Sequence, residues 1–472
     1  MLDSLAAQTL QAYELVLVVG GGRAREQAMI QALLPSYPNA RMVVRPNQET
    51  LANSTTALLP TLASDWIGFI RPRDCLQPQT LSAALMTIAE NPQAKVVFTD
   101  EECRDALNRI THRFDKLSFD PVRLITQEYL RDLALINRSW LQFLGGFNPV
   151  TSEWPSHDIY LKTLESHGAA AFVHISERLY QRFRIYREKP SDLRRHSHLP
   201  GFDTQAIRQH FERTQRRGKV IDNHRGTAEI RYELTSHPWL HVFVILEGGL
   251  EAAWERLWKA SATGGYGACQ YTGLYIGDDP MTASNLAYKA RSLNVQIHHV
   301  TGNLPAYLNQ EIQRTGATYI ALVRGEILDR GWSQQLLSHA QDPAVGVVGG
   351  KCISPLQLQA PGVLNYRYAG WDWNSRGKFN VLNVPHCTGA VSPANMLFSA
   401  QTFIDRNGFD VTLPTLFGMD FCIRVGEVGK QILQLPAAAA IAIDTKSPDA
   451  ETALFKGRWS AWSDRYQMIL PW

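Results

Sequence analysis

The 472-residue chain has little of what marks several large classes of protein. No stretch approaches the roughly 18 apolar residues of a membrane-spanning helix, and Asp3 stands where a secretory leader would carry Lys or Arg. The six cysteines, Cys75, Cys103, Cys269, Cys352, Cys387 and Cys422, form no C-x-x-C and no Cys/His spacing. That excludes a zinc ribbon and speaks against a disulfide framework. An excess of either charge is missing too: 47 Lys and Arg face 44 Asp and Glu, a net charge of +3. Nothing in that balance calls for nucleic acid or an anionic membrane as a partner. These absences predict a cytoplasmic protein with reduced thiols and no transmembrane segment; peripheral attachment at the inner face of the membrane stays open.

What is present is globular, with 45% apolar and 19% charged residues, and too long for a single core. Two stretches repeat each other. Residues 135–162 contain Gly145-Gly146-Phe147, and residues 397–424 contain Asn407-Gly408-Phe409. In each, the Phe lies 11 residues before an acid, Asp158 or Asp420, that opens an amphipathic segment ending in Lys162 or Arg424. The copies stand 262 residues apart, the period of a domain and not of a solenoid. Upstream, Asp65–Arg71 resembles Thr318–Arg324.

Periodicity predicts helices at residues 2–12, 25–34, 49–62 and 79–90, and strands at 14–19, 40–44, 66–70 and 96–99. Residues 188–236 are polar, with one helix at 203–215 and a strand at 229–234. A second series opens with the apolar strand Leu240–Leu246, a helix to residue 262, and strands at 273–276, 295–299, 319–323 and 345–348. This alternation predicts two α/β units with mostly parallel sheets, whose ligands sit at the carboxyl ends of the strands. In the first unit those ends are Gly20-Gly21-Gly22 and Arg71-Pro72-Arg73-Asp74. The spacing G-G-G-R is not G-x-G-x-x-G, and predicts a tight turn, not a dinucleotide fingerprint. Asp100, Glu101 and Glu102 follow the strand at 96–99; a metal or sugar-hydroxyl site and a solvated loop are both open readings. The basic groups Arg182, Arg184, Arg187 and Lys189, and Arg213, Arg216, Arg217 and Lys219, read as solvated faces. Trp459, Trp462 and Trp472 read as packing against the second unit.

With the elements in this order, the whole chain resembles the bacterial tandem family 2 glycosyltransferases, which join two GT-A nucleotide-sugar-binding domains by a connector. The likeness lies in Leu5–Thr9 leading to Glu14-Leu15, in Phe98–Glu102, and in the two (G/N)-G-F turns. It continues in Ala206-Ile207-Arg208, Val345-Gly346, Cys387–Ala390 and Asp420–Arg424. The resemblance implies an α/β fold of two tandem GT-A, Rossmann-like domains. They span residues 1–187 and 238–446, with a connector at 188–237 and a tail at 447–472. The first copy lacks the opening strand that the second has at Leu240–Leu246.

The resemblance also implies a set of acids, and the chain departs from it. Where the family holds the base and ribose of its donor, the first copy has Gly20 and Gly21, and the second has Asp278 and Asp279 nearby. In place of the metal-binding Asp-X-Asp stand Arg71-Pro72-Arg73, followed by Asp74, and Arg324-Gly325-Glu326. Guanidiniums cannot ligate Mg²⁺ or Mn²⁺. The general-base positions fall on Ser156 and Gly418, neither able to take a proton at neutral pH. Asp158 and Asp420 survive as the family's second acid, expected to cap the following helix. Arg71 and Arg73 either hold a diphosphate directly or are solvated.

The expectation is therefore a protein of cell-surface polysaccharide, lipopolysaccharide or glycoprotein biosynthesis with impaired or no catalysis. It would bind a nucleotide-sugar, or serve as partner to an active glycosyltransferase or glycan-assembly protein, with no cofactor. The alternative is an active inverting transferase using the second copy, which would need Mg or Mn.

Overall fold

The computed structural model describes residues 1–46, 49–116, 118–149, 156–183, 202–222, 227–353, 378–441 and 448–465. The side chains of Arg184, Arg187, Lys189, Trp462 and Trp472 lie outside the described residues. The chain divides into two compact units, Met1–Glu229 and Ile230–Trp472. Part of the expected connector thus belongs to the first unit, and the expected tail to the second.

Unit 1 runs α1 (Leu2–Ala6), β1 (Leu15–Gly20), α2 (Ala24–Leu33), β2 (Ala40–Arg45), α3 (Leu51–Leu58), β3 (Trp66–Ile67), β4 (Cys75–Leu76) and α4 (Thr80–Glu90). It continues β5 (Val96–Arg104), β6 (Ile110–Phe114), α5 (Pro121–Thr126), β7 (Ala134–Asn137), α6 (Arg138–Phe143), α7 (Ser156–His167), β8 (Phe172–Phe183) and α8 (Thr204–Arg213). A short sheet of β9 (Gly218–Asp222) and β10 (Ala228–Tyr232) follows. Helix starts are set locally: Thr50, Asp120, Asn137 and Asp203 each accept a backbone N–H of the first turn of α3, α5, α6 and α8.

Unit 2 runs β11 (Leu240–Leu246), α9 (Leu250–Thr263), β12 (Cys269–Tyr275), α10 (Pro280–Ala290), β13 (Gln296–His299), α11 (Leu304–Thr315), β14 (Tyr319–Val323), β15 (Glu326–Ile327) and α12 (Trp332–Ala340). Next come β16 (Val345–Ile353), β17 (His386–Cys387), β18 (Met396–Ser399), α13 (Ala400–Asp405), α14 (Phe417–Gly426), β19 (Gln431–Ile441) and α15 (Asp449–Arg465).

The sheet of unit 2 is ordered β13-β12-β11-β14-β18-β16-β19-β15, with β17 added beside β19. Strands β13, β12, β11 and β14 are parallel, the Rossmann-like half, and β18 runs antiparallel between β14 and β16. All seven residues of β11 are buried, as expected of a continuous apolar run at the middle of a sheet covered on both faces. In unit 1 the order β3-β7-β5-β8-β4 repeats β14-β18-β16-β19-β15 strand for strand, with β7 again antiparallel. The parallel pair β1-β2 stands where β12-β13 would, but as a separate sheet. No strand of unit 1 takes the position of β11 among the described residues, and the sheet is divided there. Both units have the GT-A-like α/β arrangement.

Several expectations are corrected. The helix expected over residues 2–12 ends at Ala6, and the strand expected over 66–70 stops at Ile67, before Gly68, where Leu135 packs in the place of a Cβ. The sheets are mixed, not mostly parallel. No helix among the described residues is long and apolar enough to cross a membrane, and all six cysteines are free.

Candidate functional site

The repeated (G/N)-G-F turn does the same task in both units. Gly145 and Gly146 have positive φ, as do Asn407 and Gly408, so the chain turns through the left-handed region twice in succession. A Cβ on Gly146 would lie 2.3 Å from Thr56 Cγ2, and one on Gly408 2.7 Å from Asn309 Oδ1. Only glycine fits so close to α3 or α11. The next N–H then donates to that helix, Phe147 N to Thr56 Oγ1 at 2.9 Å and Phe409 N to Asn309 Oδ1 at 2.8 Å.

Downstream, the two retained acids are tied up alike, but not as caps. Asp420 lies inside α14, fully buried, and accepts from Arg424 Nε at 2.7 Å and from Arg458 Nη1 and Trp459 Nε1 of α15, each at 3.0 Å. Asp158 lies inside α7 and pairs with Lys162 at 2.6 Å and with Arg213 of α8 at 3.4 Å. Each acid therefore fastens the last helix of its unit to the helix that carries it. Arg213 also pairs with Glu165 while remaining exposed, as expected of a solvated basic face, and Trp459 packs as expected.

The base positions offer no base. Ser156 opens α7, next to the buried Tyr160 hydroxyl. Gly418 is buried in α14, where an added Cβ would stand 2.5 Å from Cγ of Pro393. That ring is fixed in the backbone, so the position excludes any side chain. Between Ser156 and Asp158, His157 is held neutral: its Nε2–H donates to Leu124 O at 2.7 Å while Nδ1 accepts from Asp203 N at 3.0 Å. Burial pushes its pKa down to about 4.

At the carboxyl edge of unit 1, Gly20 ends β1 and the Gln27 side chain donates to the carbonyls of Gly20 and Gly21, closing the expected tight turn. Arg71 is neither solvated nor free. Its Nη2 lies 2.9 Å from Asp132, whose other oxygen is 3.0 Å from Arg182 Nε of β8. Arg73 is exposed. Asp74 is buried and accepts from Tyr180 Oη at 2.6 Å and Phe183 N at 3.1 Å; burial raises its pKa. Asp100, Glu101 and Glu102 are not a strand end: β5 runs through all three, and all are buried. Asp100 accepts from Lys116 N and pairs with His174 Nε2, each at 2.7 Å. Glu101 lies 3.6 Å from Lys116 Nζ, 3.4 Å from Arg131 Nε and 3.8 Å from Arg182 Nη1. Glu102 accepts from Arg104 and Gln181. The edge is a connected network whose acids and bases neutralise one another. Asp132 is pushed up to about 6, first by its burial and then by Glu101. Asp132, Arg131 and Lys116 were missed from sequence, because spacing along the chain does not reveal which charges a loop folds back beneath a strand.

In unit 2, Asp278 is exposed, and Asp279 caps α10, accepting from Met281 N and Thr282 N. Arg324 Nε lies 2.9 Å from Glu247 Oε1, just beyond β11, and Glu326 pairs with Lys259 of α9. Asp278 and Asp279 are thus not brought into this charge cluster by any contact. No group of three or more His, Cys, Asp or Glu that could hold a metal occurs among the described residues. Arginines fill the leading Asp-X-Asp positions and Glu326 is engaged by Lys259, so these residues do not fit the divalent ion that the fold class implies. A shallow depression of about 570 Å³, lined by Lys95, Ser139, Trp140, Phe143, Ser166 and His167, lies at the amino end of β5, away from the carboxyl edge of unit 1.

The fold is GT-A-like, and comparison with known proteins gives a family match over part of the chain. Residues 1–143 match the model of the glycosyl transferase family 2. The chain is 22% identical over 367 residues to the O-antigen biosynthesis protein RfbC of Myxococcus xanthus, covering 75% of this chain and 28% of that protein. It is 20% identical over 469 residues to an uncharacterized protein of Sinorhizobium fredii, covering 93% and 50%. A pre-mycofactocin glycosyltransferase of Mycobacterium tuberculosis is 26% identical over 147 residues, 30% of each chain. The chain thus spans between a quarter and a half of the length of these relatives. Among solved structures, a mannosyltransferase of Pyrobaculum calidifontis in complex with GDP-Man and Mn²⁺ aligns with a TM-score of 0.34 at 14% identity, over 48% of this chain and 61% of that one.

Proposed function

We propose that this chain is a tandem GT-A protein of cell-surface glycan biosynthesis that binds a nucleotide-sugar and partners an active transferase without turning over donor itself. The reading rests most on Gly418. The ring of Pro393 stands 2.5 Å from where a Cβ of residue 418 would lie, so the position itself carries no acid and has no room for one without a shift of the backbone. A general base contributes roughly 10²–10⁴-fold in rate, and Ser156 offers no substitute in unit 1. The family match of residues 1–143 and the likeness to the O-antigen biosynthesis protein of Myxococcus xanthus support the glycan pathway. The shared strand order and the paired turns support two copies of one domain.

The test is nucleotide release from UDP-, GDP- and dTDP-sugars by the purified chain, alone and mixed with co-purified transferases of the same cells. No release alone and a stable complex with a transferase are the expected results. Release by the chain alone, at rates typical of transferases, overturns the reading.

A further inference from the structure

Unit 2 disagrees with the metal its fold class implies, and the same residues suggest what stands in its place. We propose that the carboxyl edge of unit 2 binds the diphosphate of a nucleoside diphosphate on Arg256, Lys259 and Arg324, without a divalent ion. This rests on the reading of unit 2 as a nucleotide-sugar cleft, and adds how the anion is held.

Arg256 and Lys259 lie three residues apart on α9 and so share a face. That face meets the residues that follow β11 and β14, because Lys259 reaches Glu326 and Arg256 reaches the carbonyl of Glu247. Arg256 is the unusual member. It is half-buried, its best contact is that carbonyl at 3.5 Å, and no carboxylate among the described residues comes within ion-pair distance of it. Burial lowers its pKa, the charges of Glu247 and Glu326 offset this in part without pairing with it, and Arg324 acts on it as a like charge. A desolvated guanidinium beside a second one is a poor arrangement for the free protein and a good one for a bound dianion.

The other two cations are held without being used up. Arg324 directs Nε and Nη2 at a single oxygen, Glu247 Oε1, which fixes the guanidinium plane. Lys259 is shared between Glu255 and Glu326, whose side chains are 63% and 39% exposed and can swing into water. Unit 1 differs on this point. There Arg71 and Arg182 are tied to the buried Asp132, and Lys116 and Arg131 face the buried Glu101, so its cations are already neutralised within the core. A metal-free anion site, one of the two readings open for Arg71 and Arg73, is thereby assigned to unit 2 by this proposal.

The experiment is calorimetric titration of the intact chain with UDP, GDP, dTDP and inorganic pyrophosphate, each in EDTA and in Mn²⁺. We expect at least one nucleotide to bind equally in the two buffers, within about twofold, and pyrophosphate to compete with it. Arg256→Gln should weaken that binding by roughly ten-fold or more, the loss of a charge-assisted hydrogen bond. Lys259→Gln, at a more exposed position, should weaken it with no effect on folding, and Arg73→Gln in unit 1 should leave it unchanged. Binding that requires Mn²⁺ overturns the inference but leaves unit 2 a nucleotide cleft. Wild-type affinity in both Arg256→Gln and Lys259→Gln overturns it, as does absence of binding by all four probes. The transferase-partner reading stands or falls separately, on nucleotide release and complex formation.

Discussion

In unit 2, β11 joins β12 to β14 and all seven of its residues are buried; in unit 1 the sheet is divided at the same place, with β1 and β2 on one side and β3 on the other. The consequences reach the interior of each unit. β1 is mostly half-buried although its sequence, LVLVVG, is as apolar as that of β11. Unit 2 is built around phenylalanines: Phe409 meets Phe398, Phe403, Phe417 and Phe421 edge-on, with ring centroids 4.8–5.8 Å apart. Phe147, at the equivalent turn, meets Phe69 at 5.4 Å. Unit 1 buries charge instead, including Asp74, Asp100, Glu101, Glu102 and Lys116. Buried ion pairs recover little more than their desolvation costs, whereas apolar burial stabilises at about 25 cal/mol per Å². Unit 2 should therefore be the more stable of the two.

The sharpest way to break that comparison is to truncate the two phenylalanines. Phe409→Ala should destabilise unit 2 by about 4 kcal/mol, at the upper part of the range for buried aromatic residues. Phe147→Ala should cost unit 1 about 3 kcal/mol, because fewer rings lose a partner. Amide hydrogen exchange of β14 and β5 in the intact chain reads each unit separately. Equal losses would mean that the two cores are packed alike.

Next in size are the two helix latches. Asp420→Ala leaves the buried Trp459 Nε1–H without its acceptor and takes one partner each from Arg424 and Arg458, which keep the Arg406 and Gly408 carbonyls and Asp410, and should cost about 3 kcal/mol. Exchange in α15 should rise by the same factor as in α14. Asp158→Ala should cost less, about 2 kcal/mol, since Arg213 keeps Glu165. Loosening of α15 without α14 would show that the latch does not couple them.

What could be read from the sequence follows the range of the interactions. Elements set by local pattern were legible: β11 and β14 fall on the residues that periodicity picks out, and the (G/N)-G-F repeat marks a real turn. The antiparallel β7 and β18 were not, because a strand of four residues, three of them apolar, carries no sign of direction. Glu101 illustrates the limit most clearly. An acid after Phe98-Thr99-Asp100 looks like a strand end, yet β5 extends through it because cations from beyond β6 and from β8 fold over it. Asp158 and Asp420 look like caps by position, and only the arrival of α8 and α15 gives them another use.

Acidification sets the two units against each other. His241 in unit 2 is buried, its Nε2 3.0 Å from Thr272 Oγ1, and burial holds its pKa down to about 4. A histidine that must stay neutral to be buried gives stability that is present above its unfolded value near 6.5 and lost as pH falls towards 4, here about 3 kcal/mol. His157 acts in the same sense on unit 1. There, however, Asp132 opposes it. With a folded pKa raised to about 6, the folded state holds a proton that the unfolded chain has released, so acidification from pH 6 to 4 favours folding. Unit 2 should lose protection between pH 6.5 and 4 while unit 1 changes little, as read by exchange at matched intrinsic rates. Asp132→Asn should remove part of the compensation and make unit 1 more acid-sensitive, with Asp74 and Glu128, also raised by burial, still opposing His157.

The smallest effect expected is at Glu326, and its smallness is informative. Its pair with Lys259 is partly exposed on both sides, and Lys259 keeps Glu255 as a second partner. Glu326→Gln should therefore change the stability of unit 2 by less than about 1 kcal/mol in urea unfolding. The contrast is Asp132→Ala in unit 1, where Arg71 and Arg182 lose a buried acceptor and about 3 kcal/mol should go with it. Both residues sit at a carboxyl edge, but the side chain of Asp132 is buried and that of Glu326 is partly exposed. A loss at Glu326 as large as that at Asp132 would mean that its pair with Lys259 is a fixed part of the fold, and that the cations of unit 2 are no freer to meet an anion than those of unit 1.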